Sequence, residues 1–279
     1  MHAVTDELAP IDPTAFAQRY GPRALVAGGG VGLGAEYCRQ IAATGIDLLI
    51  VDRDVAALDA IASEIRGGST GVDVVTAAID LGQPALQLLT ALRAASEGLD
   101  IGLVVANAAW SPVGPFVDVE LELHLTAIDV NCRAPVVLGH EFGRRMIRRG
   151  RGGLIFMSSL AAESGAAQVA LYSATKAFDL VLAEGLWYEL RDHGVDVVAI
   201  RPGSTRTPGW ESSQPTQEFD GVMEPLDVVR DALAALGTTP SIAAGAANRA
   251  AEAFFRSLPR RDVIEMMSSI TKDLVPAPH

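Results

Sequence analysis

The chain has 279 residues, 49% of them hydrophobic, which suits one large α/β domain with a sizeable buried core. Its 22 basic residues face 34 acidic ones, and the net charge of −12 disfavours nucleic acid and anionic membrane as partners, because both attract basic surfaces. With only Cys38 and Cys132, an acidic Pro-containing start unlike a signal peptide, and no apolar run near the ~20 residues of a spanning helix, a reduced, cytoplasmic protein is expected.

Short apolar runs alternate with helical stretches along the whole chain, after an expected N-terminal extension over residues 1–22. Strands are predicted at Ala24–Ala27, Asp47–Val51, Val74–Ile79, Ile101–Ala106, Leu154–Met157 and Val195–Ile200. They are rich in Val, Ile and Leu with little polar alternation, as strands buried on both faces should be. Helices are predicted at Leu33–Ala43, Val55–Arg66, Pro84–Ser96, Leu121–Arg149 and Ala170–His193. This βαβα rhythm specifies a doubly wound parallel sheet, a Rossmann fold, in a single domain over residues 1–279. Ligands of such folds bind beyond the carboxyl ends of the strands, so the residues following each strand carry the functional information.

The first strand runs into Ala27-Gly28-Gly29-Gly30-Val31-Gly32-Leu33-Gly34 and then a helix. Glycines there let the backbone turn tightly and approach a pyrophosphate, whose charge suits a helix N-terminus. Two spacings fit, Gly30-x-Gly32-x-x-Ala35 and Gly28-x-x-x-Gly32-x-Gly34; the second starts where the strand ends and is preferred. The second strand ends at Asp52, 18 residues past Gly34, where a carboxylate can accept both hydroxyls of an adenosine ribose. That favours NAD. Arg53, next in sequence, could instead clasp the 2′-phosphate of NADP, which is kept as the alternative cofactor.

Further along, Tyr172-Ser173-Ala174-Thr175-Lys176 puts a phenol and an ammonium one helical turn apart on a shared face. The chain has 20 arginines and two lysines, Lys176 and Lys272. Four tyrosines and two lysines placed at random would give this pairing in about 3% of such chains. A phenol ordinarily ionises near pH ~10, and a neighbouring ammonium favours its charged form, so the pair is suited to proton transfer. Ser159 stands 13 residues before Tyr172, just after a strand, and Ser158 is the competing hydroxyl. Residues 208–226, rich in Gly, Ser, Pro, Trp and acids, fit a substrate lid in which Trp210 and Met223 would pack an apolar ligand, and fit a plain surface loop equally. A helical tail is expected over 242–279.

Asn131, Ser159, Tyr172 and Lys176, with the glycine turn, resemble in order and spacing the short-chain dehydrogenase/reductase family over roughly Ala24 to Thr207. The resemblance implies an oxidoreductase that moves hydride between a nicotinamide cofactor and a secondary alcohol or ketone, and a small apolar one is expected. Tyr172 would be the acid/base, Lys176 its activator and a ligand of the nicotinamide ribose. Ser159 would hold the reacting oxygen, and Asn131 would support a water leading to solvent. On the same resemblance, Gly28, Gly32, Leu33, Gly34, Asn107 and Asp80 would line the cofactor, with Pro202, Gly203 and Thr207 beside the nicotinamide. A homodimer or homotetramer packed through the two long helices is also implied. The family's Asn-Asn-Ala-Gly appears as Ala106-Asn107-Ala108-Ala109 and its threonine as Ala27. A polar contact between adjacent strand ends would thus be replaced by an apolar one. These departures keep a catalytically weak, cofactor-sensing protein as a rival.

Other motifs are read as incidental. Gly67-Gly68-Ser69-Thr70-Gly71 matches a hydrolase elbow literally, but a helix precedes it and a strand follows, the reverse of what the elbow needs. The five histidines are scattered, and Arg144 stands where a zincin pattern begun at His140-Glu141 needs its second histidine, so no metal site is expected. The basic run Arg144, Arg145, Arg148, Arg149 and Arg151 reads as a solvated helix end rather than a grip for phosphate or coenzyme A.

Overall fold

In a computed structural model of the chain, the described residues are 8–212 and 221–274. Seven strands form one parallel sheet in the order β3-β2-β1-β4-β5-β6-β7. They are β1 Arg23–Ala27, β2 Asp47–Asp52, β3 Val74–Ala78, β4 Ile101–Ala106, β5 Gly152–Met157, β6 Val195–Arg201 and β7 Ser241–Ala243. All residues of β1, β4 and β5 are buried, as continuous apolar runs demand when helices cover both faces. The strand order reverses between β1 and β4, whose register pairs Ala27 with Ala106, and this opens a crevice beyond their carboxyl ends.

Helices α1 Pro13–Tyr20, α2 Gly32–Ala43, α3 Val55–Gly67, α4 Ala85–Ala95, α5 Leu121–Ile128, α6 Ala134–Arg149 and α7 Ala170–Leu190 pack on the sheet or on one another. The predicted helix over Leu121–Arg149 is one path with a defect. A π turn at Asp129–Arg133 joins α5 to α6, and the Ala134 amide bonds back to the Asp129 carbonyl. Pro135, lacking an N–H, cannot give the Asn131 carbonyl its usual helical bond.

Within the expected N-terminal extension, residues 13–20 form α1 and contribute to the core. Asp12 caps α1 at the amides of Thr14 and Ala15, Pro13 opens it, and its Phe16 and Tyr20 are buried beneath the sheet. The Tyr20 hydroxyl donates to Asp196 at 2.7 Å. Residues 208–226 are also less uniform than a lid. Pro208–Ser212 forms a helical turn, α8, and α9 begins at Pro225 and runs to Ala235, its Val228, Val229 and Ala232 in the core. Residues 213–220 lie outside the described set. The tail starts with the edge strand β7 and continues as α10 Ala246–Ser257 and α11 Arg260–Leu274.

The serine of the hydrolase-like run, Ser69, is exposed in the connection from α3 to β3, so a strand and not a helix follows it. The basic run is solvated in part: Arg144, Arg148 and Arg151 are exposed, as expected, while Arg145 and Arg149 are tied into the protein. Arg145 bonds Glu141 and the Ser96 hydroxyl, and Arg149 donates to the Gly21 carbonyl and lies 3.6 Å from Asp100. Among the described residues no helix is long and apolar enough to cross a membrane.

Candidate active site

The glycine turn forms the floor of a cleft of about 350 Å3, lined in part by Gly28, Asp52, Arg53, Asp80, Asn107 and Trp110. Gly28 has φ +77°, and a Cβ there would fall 2.7 Å from Ala108. A Cβ on Gly34 would lie 1.8 Å from the Gly28 carbonyl oxygen, so the start of α2 can lie against the end of β1 only without that side chain. Both positions belong to the preferred spacing. The first amides of α2, at Gly32, Leu33 and Gly34, have no acceptor within the helix and so can face an anion. The Leu33 side chain turns away and packs on the core.

Asn107 closes the turn from the other strand, its backbone amide donating to the Ala27 carbonyl at 3.1 Å and its side chain to Gly28 at 2.8 Å. Ala27 and Ala106, both buried, are partners across β1–β4, so two departures from the family pattern fall on a single contact. The Asp52 carboxylate accepts from the Gly30 amide at 2.9 Å and the Asp54 amide at 3.2 Å, which holds it at the cleft. Asp80 accepts from Gly82 at 2.9 Å on the facing wall. Thr207 lies against Gly32, where an added Cβ would meet it at 3.3 Å. A backbone cradle without side chains, free helix-end amides and a carboxylate one strand away fit a dinucleotide.

The second wall of the candidate site is made by the end of β5 and by α7, outside the residues that line that cleft. The Lys176 ammonium donates to the Met157 carbonyl at 2.6 Å and to Asp179 at 3.0 Å, and it lies 5.8 Å from the centre of the Tyr172 ring. The two serines have separate places. Ser158 is buried and its hydroxyl donates to the Lys176 carbonyl at 2.7 Å, fastening β5 to α7. Ser159, half-buried, accepts from the Ala161 amide and lies 3.5 Å from the Pro202 carbonyl. Pro202 also accepts from Leu160, and Gly203 lies against Asn248, which brings the loop after β6 to the same corner.

Asn131 is fully buried, and its amide accepts from the Trp110 backbone N–H at 2.7 Å, donates to the Trp110 carbonyl at 2.8 Å and donates to Thr175 at 3.0 Å. It fastens the π turn to the loop after β4 and to α7. Trp110 itself went unnoticed in the sequence, although its place three residues after Asn107, beyond a strand end, was the signal. Trp210 sits in α8, its amide bonded to Thr207 at 3.2 Å and the Arg206 guanidinium across its ring. The Met223 side chain lies against Gly245 and Asn248, at the root of its segment.

A family model for short chain dehydrogenase matches residues 22–218. The chain belongs to that family. It is 32% identical over 237 residues to a 7β-hydroxysteroid dehydrogenase of Collinsella aerofaciens, covering 83% of this chain and 89% of that protein. A solved structure from work on 7β-hydroxysteroid dehydrogenase stereoselectivity superposes with a TM-score of 0.84 at 29% identity, covering 90% of this chain and 98% of that one. A short-chain dehydrogenase from Sphingobium yanoikuyae in complex with NADPH superposes with a TM-score of 0.72 at 30% identity, over 85% and 94% of the two chains. The protein is therefore an oxidoreductase, and its fold is the expected doubly wound sheet.

Proposed function

We propose that this dehydrogenase interconverts a bulky, largely apolar secondary alcohol, of hydroxysteroid size, and its ketone, with NAD as the preferred cofactor. The observation that carries the reading is the buried Lys176 ammonium, 5.8 Å from the centre of the Tyr172 ring and bonded to the Met157 carbonyl at the end of β5, two residues before Ser159, together with an apolar rim on the loop after β4. That rim is Trp110, Val113, Phe116 and Val117, all exposed, and its Gly114 amide bonds to the Gln168 carbonyl just before α7. Apolar walls with few polar anchors are usual for small-ligand sites, and the similarity to 7β-hydroxysteroid dehydrogenases supports the size.

When bound, a nicotinamide cofactor supplies the hydride acceptor or donor. The chain's own residues do the rest. Tyr172 takes the hydroxyl proton during oxidation and returns it during reduction, with Lys176 favouring the charged phenol. Ser159 holds the reacting oxygen by a hydrogen bond. The Asn131 side chain is committed to Trp110 and Thr175, so any support it gives to a water comes from its backbone in the π turn. Gly32, Leu33 and Gly34 would hold the pyrophosphate, and Asp52 the adenosine ribose. Pro202, Gly203 and Thr207 would serve the nicotinamide end, and Trp210 would add an apolar surface.

Asp52 carries the NAD preference: it would set a full negative charge where NADP has its phosphate, about 4 kcal/mol for two charges ~4 Å apart at an effective dielectric of roughly 20. Arg53, on the same cleft, favours the NADP-dependent ketone or ketoacyl reductase as second reading. Exposed Leu121, Leu125, Phe178 and Val181 on α5 and α7 support a homodimer or homotetramer, and the two free cysteines a reduced cytoplasmic setting. Nicotinamide absorbance with a panel of hydroxysteroids, other bulky secondary alcohols and small polar ones tests the whole reading. We expect bulky apolar substrates to lead, and NAD to exceed NADP in kcat/KM by about tenfold or more. Absence of turnover with every alcohol and ketone would favour the cofactor-sensing rival.

A further inference from the structure

One buried carboxylate beside the proposed proton-transfer pair has no part in that account. Asp179 stands one turn beyond Lys176 on α7, its side chain 3% exposed like that of the lysine, and its Oδ2 accepts the ammonium at 3.0 Å. Its Oδ1 is buried without a hydrogen-bond partner. An uncompensated buried carboxylate is costly, and so is a lone buried ammonium. Each therefore needs the other. An ammonium has three N–H donors; Met157 and Asp179 take two, which leaves one for a ligand.

We propose that Asp179 is a positioning residue for hydride transfer: its carboxylate pins the Lys176 ammonium against the Met157 carbonyl and keeps it charged, so that the third N–H is presented to the bound cofactor. The proposal rests on the reading of Lys176 as the partner of Tyr172 and of the cofactor.

The charge environment agrees with it. Burial pushes the Lys176 ammonium toward losing its proton, but Asp179, then Tyr172 and Cys132, outweigh burial and hold it above the ordinary lysine value. Burial lifts the Asp179 carboxyl to about 6, with Lys176 pulling the other way, so the carboxylate is present at neutral pH. The titratable groups that face the pair are Tyr172 on the same helix and Cys132 on the π turn.

The composition provides a direct test. Lys176 and Lys272 are the only lysines, so a full-length chain labelled with 13C at the lysine ε-carbon gives two signals, which Lys272→Arg assigns. In the wild type the Lys176 signal is expected to keep its ammonium position to about pH 10. In Asp179→Asn, of nearly the same shape, its midpoint should fall by about one pH unit or more, and Asp179→Glu should restore most of the loss. The alkaline limb of kcat/KM should move down with the Asn variant's NMR midpoint. An unchanged midpoint in Asp179→Asn overturns the proposal. Should that variant not fold, a wild-type Lys176 that titrates well below the ordinary lysine value overturns it equally. A midpoint that falls while the activity profile stays put overturns it differently, by removing Lys176 from the chemistry while leaving the ion pair intact.

Discussion

The two walls of the candidate site are built from different materials. The cofactor wall, from Gly28 to Asp52, is backbone: a left-handed glycine, helix-end amides, and a carboxylate held by the amides of Gly30 and Asp54. The proton wall, from Met157 to Asp179, is side chains in low-dielectric surroundings: a buried ammonium, a buried carboxylate and the Ser158 strut to α7. Backbone fixes where a ligand lies, and it is disturbed by adding atoms. Buried charge fixes what a ligand undergoes, and it is disturbed by removing one partner.

The contrast is sharpest where a single atom group is lost from the proton wall. Tyr172→Phe is expected to lower kcat by about a thousandfold, in the range of general acid–base contributions, while cofactor affinity measured by fluorescence titration stays within about twofold of wild type. Retention of most activity would remove Tyr172 from the mechanism. The converse change adds one atom to the cofactor wall. Gly34→Ala places a methyl against the Gly28 carbonyl, and we expect the cofactor Kd to rise at least about tenfold, about 1.4 kcal/mol. The far-ultraviolet circular dichroism should be retained. Equal affinity would mean that the turn can open without loss.

Behind both walls, Glu141 on α6 gauges the packing that holds them. Arg93 and then Arg145 hold its carboxyl below the usual carboxylate value. A lowered folded-state value contributes stability above the usual range and loses it as pH falls through the folded value. Glu141→Gln should therefore cost on the order of 1 kcal/mol or less at neutral pH, and in urea unfolding the gap between the two proteins should narrow as pH falls below the usual carboxylate range. A gap independent of pH would point to shape rather than charge. Asp52→Ala should shrink the NAD preference of about tenfold toward parity, a change of roughly 1.4 kcal/mol; an unaltered ratio of kcat/KM would shift the discrimination to Arg53. The smallest effect is at Cys132 beside the proton wall. Burial first, and Asp179 next, push its thiol up to about 11. Alkylation by iodoacetamide at about pH 8 should be far slower than that of a free thiol.

Much of this was legible in the chain. Six strands, the doubly wound topology, the preferred glycine spacing and the one-turn separation of Tyr172 and Lys176 follow from apolar runs, strand-end glycines and helical periodicity. These are local rules, and the structure keeps all of them. The short edge strand Ser241–Ala243 and α9 were not seen, the first because three residues carry no period and the second because its start fell inside a polar, Pro-rich stretch. The Asp12-Pro13 pair, a capping carboxylate followed by a proline, is a local signal for the start of α1.

What only the tertiary structure decided is which side chains spend their polar atoms on one another. Sequence places Ser158 and Ser159 side by side; folding turns one to a helix carbonyl and leaves the other at the corner with Pro202. Sequence spaces Asn131 like its family; the π turn, reinforced by Pro135, commits its side chain to Trp110 and Thr175. Asp179 is one polar residue on a long helix until α7 packs against β5, and Lys176 then finds the Met157 carbonyl on one side and that carboxylate on the other. Periodicity tells which face of an element is buried, because burial is a property of the face. The partner each buried polar atom finds depends on elements far apart in the chain, and so only the packed protein determines it.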